Sequence, residues 1–461
     1  MDVLDLARWQ FGLTTVYHFL FVPLSMGLSA FVAGMHTAWV RTGADRYRRL
    51  TRFYGKLLIV NFVLGVVTGL VQEFQFGMNW SAFSRFVGDI FGTPLALEAL
   101  LAFFLESTFL GLWVFGWDKL PRRLHLACIW IVAMGTQLSA YVILAANSWM
   151  QHPVGYRIDP ETGRARLTDF VAVLTNDVTV VAYAHVLAAS FITAGALVAG
   201  VAFWHLGRGN ETHVFRTAAK VACVVVLVAG VAAVGTGDQQ QRLLGQEQPM
   251  KTAAAEALYD TSGPASFSLV KIGSFDVRVP NLLSLLETGT LDGRVEGMND
   301  IQRQYEQAYG PGDYLPNVPT TYWNFRLMIG FGLLAVGVSL GGLLLLRRMR
   351  RRGVLPRGRW VARAALALPL LPLLANSAGW IFTETGRQPW LAFGLFRTAD
   401  GVSPGSTVTT LAISIAAFAL LYGALAVVEI GLLARIAKHG TEDEPAAVPE
   451  PDTAAPLTLA Y

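Results

Sequence analysis

PLALEALLAFFLESTFLGLWVFG, residues 94–116, is a nearly unbroken apolar run whose only charges are Glu98 and Glu106. A helix needs roughly 20 such residues to cross a hydrocarbon core about 30 Å thick. Acids inside a spanning segment are costly and usually mark a pathway or a bound group. Outward from this stretch, eight more runs of the same kind occur, near 15–38, 56–73, 124–148, 180–206, 218–236, 322–346, 361–384 and 406–434. The composition agrees: 53% hydrophobic and only 15% charged, where a soluble domain carries about a quarter charged residues. The fold class that follows is an all-α polytopic membrane protein with nine transmembrane helices. Disorder and an ordinary cytosolic enzyme are excluded. The two cysteines, Cys128 and Cys223, lie in apolar runs and make no CxxC, which removes disulfide scaffolds and zinc ribbons. No basic region precedes the first run, so it does not read as a cleaved signal peptide.

Lys and Arg set the orientation. Of the 36 basic residues, 22 sit in the connections after runs one, three, five, seven and nine, from Arg41 and Arg46 through Arg347, Arg348 and Arg357 to Lys438. Cytoplasmic connections attract this excess, so the N-terminus is expected outside and the C-terminus inside. The chain divides into helices one to six (1–236), a large outer loop (237–321), helices seven to nine (322–434) and a cytoplasmic tail (435–461) that reads as disordered. Residues 74–93, running into GDIFGTP, read as an ordered outer loop, and 149–179 as a hydrophilic outer connection. The loop 237–321 keeps aromatic and apolar residues throughout and is expected to be partly ordered and functional. No internal repeat is evident.

Ionisable and soft side chains inside the runs supply the chemistry. His18, Glu98, His185 and Met328, with Arg326 beside it, fall in the first turns of odd runs, and Glu384 ends run eight. All therefore share the outer depth, beneath the large loop. Glu106 lies about 12 Å deeper than Glu98 and, on an ideal helix, is turned by roughly 80°. Glu429 is one further buried acid, in run nine. Imidazole and thioether are axial ligands of haem iron, and carboxylates in apolar surroundings pass protons near neutral pH. Arg326 and Arg387, at the outer ends of runs seven and eight, could pair with haem propionates. His36, His125, His152, His205, His213 and His439 fall at membrane edges or in loops and read as solvated. A rival arrangement pairs His18 with His36 and His185 with His205 as two bis-histidine haems, but it leaves Glu98, Glu106 and Glu384 unexplained. A proton-coupled transporter would also hold midplane acids, yet neither inverted repeats nor paired broken helices are evident.

RWQFGLTTVYHFLFVPLSMG (8–27), EFQFGMNW (73–80), VGDIFGTPLALEALLAFFLESTFLGLWVFGWD (87–118), NSWMQHPVG (147–155), NFRLMIGFG (324–332) and GWIFTETGRQPW (379–390) together resemble subunit I of cytochrome bd-type quinol oxidases. The blocks keep the family's order and spread over most of the transmembrane part. The resemblance implies a haem-bearing subunit that oxidises membrane quinol and reduces O2 to water, with low-spin haem b, high-spin haem b and haem d. It implies His185 and Met328 as axial ligands of the low-spin haem. His18 and Glu384 match the ligands of the high-spin pair; family members differ in which takes which, and the assignment favoured here puts His18 on haem d. Glu98 matches the acid beside the oxygen-reducing haem, Glu106 and Ser139 match parts of a proton route, Trp380 matches an aromatic among the haems, and Arg326 and Arg387 match propionate partners. Lys251 and Glu256, in MKTAAAEA, match the family's quinol-site pair. The surrounding loop is diverged and of the short type. A b-haem-only oxidase variant is the closest alternative. The resemblance also implies a second subunit of similar fold, small single-helix subunits, a bacterial inner-membrane location and no nucleic-acid partner.

Overall fold

A computed structural model describes residues 2–352 and 359–441; Arg357 and the tail 442–461 lie outside the described residues. In chain order the helices are α1 (Val3–Thr42), α2 (Asp45–Met78), α3 (Ser81–Leu97), α4 (Phe103–Phe115), α5 (Arg122–Gln151), α6 (Phe170–Leu174), α7 (Asp177–Arg208) and α8 (Thr212–Glu247). Then follow α9 (Pro249–Ala255), α10 (Leu282–Thr288), α11 (Met298–Tyr309), α12 (Val318–Arg352), α13 (Arg359–Ala367), α14 (Leu370–Thr385) and α15 (Val408–His439). A π-helical turn, Glu98–Ala102, joins α3 to α4. Three antiparallel ribbons complete the chain: β1 (Tyr156–Ile158) with β2 (Ala165–Leu167), β3 (Phe267–Ile272) with β4 (Phe275–Val279), and β5 (Trp390–Ala392) with β6 (Phe396–Arg397). Among the described residues, nine helical stretches are long and apolar enough to cross a membrane.

The helices outrun their apolar cores. The segment 74–93 is not a loop: α2 continues to Met78, turns at Asn79–Trp80, and GDIFGTP lies inside helix. Glycine and proline there signalled a turn, but Pro94 costs only one backbone bond and the burial of Phe83, Ile90 and Phe91 holds the helix. α8 runs to Glu247, so the loop proper starts at Gln248. His18, His185 and Met328 accordingly lie two to four turns below their helix starts rather than in the first turns, because α1, α7 and α12 begin before the runs do.

Helix packing in lipid rests on close contact rather than on expulsion of water, and small residues decide which helix is central. In α7 a run of Ala194, Gly195, Ala196, Ala199, Gly200 and Ala202 is buried, and 72% of its spanning window is inside the protein. A Cβ on Gly27 of α1 would sit 2.2 Å from the Ser190 carbonyl oxygen of α7, so only glycine lets these two backbones meet. α15, with 11% of its window buried, stands at the periphery against α1 and α2. α1 pairs with α2, α7 with α8, and α12 with α14. One end of the bundle carries α9–α11 and the ribbons (the loop end); the other carries the arginine-rich connections (the basic end).

Candidate functional site

Two histidines are seated in the same way. On α1, His18 Nδ1 lies 3.0 Å from Thr68 Oγ1 of α2, and on α7, His185 Nδ1 lies 3.1 Å from Thr236 Oγ1 of α8. Each threonine already donates its hydroxyl hydrogen to a carbonyl in its own helix, Leu64 or Ala232. It can only accept from the imidazole, so Nδ1 carries the proton and Nε2 keeps a free lone pair, the arrangement a metal ligand needs. The residue after each threonine is glycine. A Cβ on Gly69 would stand 3.0 Å from His18 Cε1, and one on Gly237 3.4 Å from His185 Cε1. The same histidine, threonine and glycine recur at sequence separations of 50 and 51, a repetition too sparse to stand out along the chain. Met328 completes the pattern: its Sδ would lie 2.8 Å from a Cβ on Gly379 of α14.

Glu384 closes α14. Its Oε1 accepts from Asn147 Nδ2 at 2.9 Å, and its Oε2 pairs with Arg387, which also donates to the Leu391 carbonyl. Arg387 Nε and Trp380 Nε1 are buried donors with no acceptor among the described residues. Such groups are rare, and each calls for a partner. Trp380 stacks on Phe19, the neighbour of His18, with ring centroids 4.7 Å apart, which brings the α14 and α1 candidates together.

Ser139 Oγ of α5 donates to Glu98 Oε1 at 3.0 Å. Glu106 is 5% exposed, lies against Gly135 of α5, and leaves Oε1 buried without a partner among the described residues. The expected 80° offset between the two acids is not found. The π turn at Glu98 takes about one extra residue, which winds the register back by roughly 100° and leaves both acids facing α5. Gly135 and Ser139, one turn apart, receive them.

The loop residues Lys251 and Glu256 point to different neighbours. Lys251 is 1% exposed; its Nζ donates to Gln151 Oε1 at 2.7 Å and its stem packs over Gly386. Burial, with the Arg387 charge nearby, lowers its pKa to about 7. Glu256 is paired with Arg326 at 2.8 Å and accepts from the Ser268 backbone N–H at 3.0 Å. Arg326 also donates to the Ala255 and Ser268 carbonyls, clamping the loop onto α12. Burial raises the Glu256 carboxyl to about 7, against the downward pull of Arg326. A carboxyl raised in this way contributes stability below its ordinary value of 4.5 that is lost as pH rises through about 7. The thermal midpoint of the folded protein is therefore expected to fall between about pH 5 and pH 8, and Glu256→Gln to flatten that slope. Glu287, raised to about 7 by burial, keeps part of it. A wild-type slope in the variant would show that Glu256 is not the group titrating.

The histidines read as solvated include three that are buried. His36 and His125 sit at the basic end among Trp39, Trp113 and Trp117; Trp113 Nε1 donates to His36 Nδ1 at 3.2 Å, and His125 Nε2 lies 2.7 Å from the Trp113 carbonyl oxygen. His205 stacks on Phe215 at 3.9 Å with its Nε2 on the Ala437 carbonyl. Aromatic packing pulled them inward: Trp39 and Trp117 stack on His36 and Phe215 on His205, covering the ring faces, while His36 Nε2 and His205 Nδ1 have no partner among the described residues. Asn147, Gln151, Thr68, Thr236 and the facing glycines were missed; Asn147 and Gln151 stood in a block already singled out, and the threonine-glycine pairs in GVVTGL and AVGTGD were the available signal.

The description cytochrome bd terminal oxidase subunit I matches residues 6–441. The chain belongs to that family. It is 46% identical to cytochrome bd ubiquinol oxidase subunit 1 of Bacillus subtilis (strain 168), covering 96% of this chain and 95% of the relative. It is 37% identical to cytochrome bd-II ubiquinol oxidase subunit 1 of Escherichia coli (strain K12), over 95% and 97%. The solved structure of bd oxidase from Geobacillus thermodenitrificans superposes with a TM-score of 0.83 at 28% identity, covering 95% of this chain and 99% of that one. Membership of the cytochrome bd family makes this a terminal oxidase subunit, one that works with a subunit II and haem cofactors. The residues fit haem: two imidazoles held with Nε2 free, a thioether over a glycine, and orphaned donors suited to carboxylates.

Proposed function

We propose that this chain is the haem-bearing catalytic subunit of an electrogenic quinol:O2 oxidoreductase. In this reading His185 and Met328 would hold low-spin haem b, His18 haem d and Glu384 high-spin haem b, with Arg326 and Arg387 toward their propionates and Trp380 packed among the haems. When bound, the haems supply electron transfer and the four-electron reduction of O2 to water. The rest is the work of the chain itself. Quinol docks under α9 and β3; Glu256 accepts its protons and Lys251 favours the developing anion. The basic end faces the cytoplasm, as positive charge prefers, and the loop end faces outward, so protons from quinol leave outside. Protons for water come from inside through Glu106, then Ser139 and Glu98, which α5 lines up beneath the loop end. Consuming protons on one side and releasing them on the other separates charge without a pumping residue. The complex includes a second subunit of similar fold, with small single-helix subunits, in the bacterial inner membrane.

The observation that carries this reading is the doubled histidine seat, with Thr68 and Thr236 fixing the tautomer and Gly69 and Gly237 leaving room for the ring. Pigment extraction from the purified complex tests it. Haem b plus haem d is expected. Haem b alone would favour the b-only variant, and a colourless, folded preparation would end the proposal.

A further inference from the structure

We propose that Asn147 and Gln151 are positioning residues tying the Glu384 carboxylate to Lys251 on the loop helix. The inference rests on the reading above, in which Glu384 would hold a haem iron. Three hydrogen bonds make the link. Lys251 Nζ donates to Gln151 Oε1 at 2.7 Å, Gln151 Nε2 donates to Asn147 Oδ1 at 2.9 Å, and Asn147 Nδ2 donates to Glu384 Oε1 at 2.9 Å. Every bond runs the same way, from the ammonium to the carboxylate.

The geometry is held from several sides. Asn147 and Gln151 are four residues apart in the last turns of α5, so they share one face. Gln248 Nε2, at the start of α9, donates to the Gln151 carbonyl oxygen at 2.6 Å. Gln151 is 5% exposed and Lys251 1%, so water does not compete at the lysine end, while Asn147 is half-buried and the Glu384 side chain is 25% exposed. The Lys251 stem lies over Gly386, where a Cβ would stand 2.7 Å from its Cγ. Any side chain at 386 would push the lysine out of line. Glu256, just past the end of the same short helix, turns to Arg326 and α12 instead. Thus α9 touches both ligand-bearing helices, α12 through Glu256 and α14 through Lys251.

Aligned amide dipoles between two charges polarise one another, more strongly in a dry interior. The chain therefore draws electron density from Glu384 Oε1 and fixes the carboxylate's rotation. Both effects reach the other oxygen, Oε2, which pairs with Arg387 on the far side of the carboxylate. A less electron-rich carboxylate favours ferrous over ferric iron, so an intact chain holds that haem at a higher potential.

The test uses the complete purified oxidase, with redox titration of each haem and steady-state kinetics. Asn147→Ala and Gln151→Ala are expected to lower the midpoint potential of the high-spin haem on Glu384 and alter its absorption. The low-spin haem should stay unchanged, with kcat reduced severalfold and, for Asn147→Ala, which leaves the Lys251–Gln151 bond in place, the KM for quinol within about twofold. Gln151→Glu is nearly isosteric, keeps the acceptor for Lys251 and removes the donor to Asn147. It should shift the same haem, and it serves if the alanine variants fail to assemble. In a double-mutant cycle, Gln151→Ala and Lys251→Gln should shift that potential non-additively. An unmoved high-spin potential in variants that retain the low-spin band, or additive shifts in the cycle, would overturn the proposal. Failure of the underlying reading looks different: Glu384→Ala would then leave the high-spin spectrum intact.

Discussion

Glu106→Gln is expected to lower oxygen consumption about a hundredfold while quinol still reduces the low-spin haem at close to the normal rate. Loss of one positioned acid–base group typically costs 10²–10⁴-fold, and glutamine isolates that loss because it keeps the side chain's size against Gly135. The carboxyl is buried, Oε1 has no partner among the described residues, and Glu98, bonded to Ser139, faces the same side of α5. An amide in this place can hold water but cannot release a proton. Electrons would then enter and stop, since oxygen reduction waits for protons from the basic end. Stopped-flow reduction of the low-spin band, measured beside oxygen uptake, separates the two steps. Glu106→Asp should retain part of the turnover. Unchanged turnover in the glutamine variant would remove Glu106 from the route.

Met328→Leu is expected to abolish the low-spin haem spectrum or convert it to a high-spin one, and with it nearly all quinol oxidation. Leucine matches methionine in bulk, so the packing against Phe325, Phe382 and Ala255 survives while the thioether lone pair is lost. Gly379→Val should reach the same end by another way. A Cβ at 379 already stands 2.8 Å from Sδ, and two further methyl groups leave the thioether nowhere to sit. Agreement between the two variants would place the sulfur, rather than general packing, at the cause. A wild-type spectrum in Met328→Leu would reject the ligand.

Much of this site was legible as one-dimensional text because membranes impose one-dimensional rules. A charged or soft residue inside an apolar run is conspicuous at once. His18, Glu98, Glu106, His185, Met328 and Glu384 were therefore all visible as candidates. Residues whose role is to accept a hydrogen bond or to be small carry no such signature. Thr68, Thr236, Gly69, Gly237 and Gly379 look like ordinary members of apolar helices until the neighbouring helix is set against them. The buried histidines show the opposite failure. His36, His125 and His205 sit near basic residues at the ends of runs and look wet, but rings from Trp113, Trp117 and Phe215 cover them.

Span number and the chemistry available in each span follow from composition along the chain, since hydrocarbon thickness and the cost of a buried charge act on each segment separately. Which faces meet does not follow, because it depends on contacts between residues tens to hundreds of positions apart. The π turn that brings Glu98 and Glu106 onto one face, the partition of Lys251 and Glu256 between α14 and α12, and the hydrogen-bonded chain from Lys251 to Glu384 arise only when helices from distant parts of the sequence close on one another.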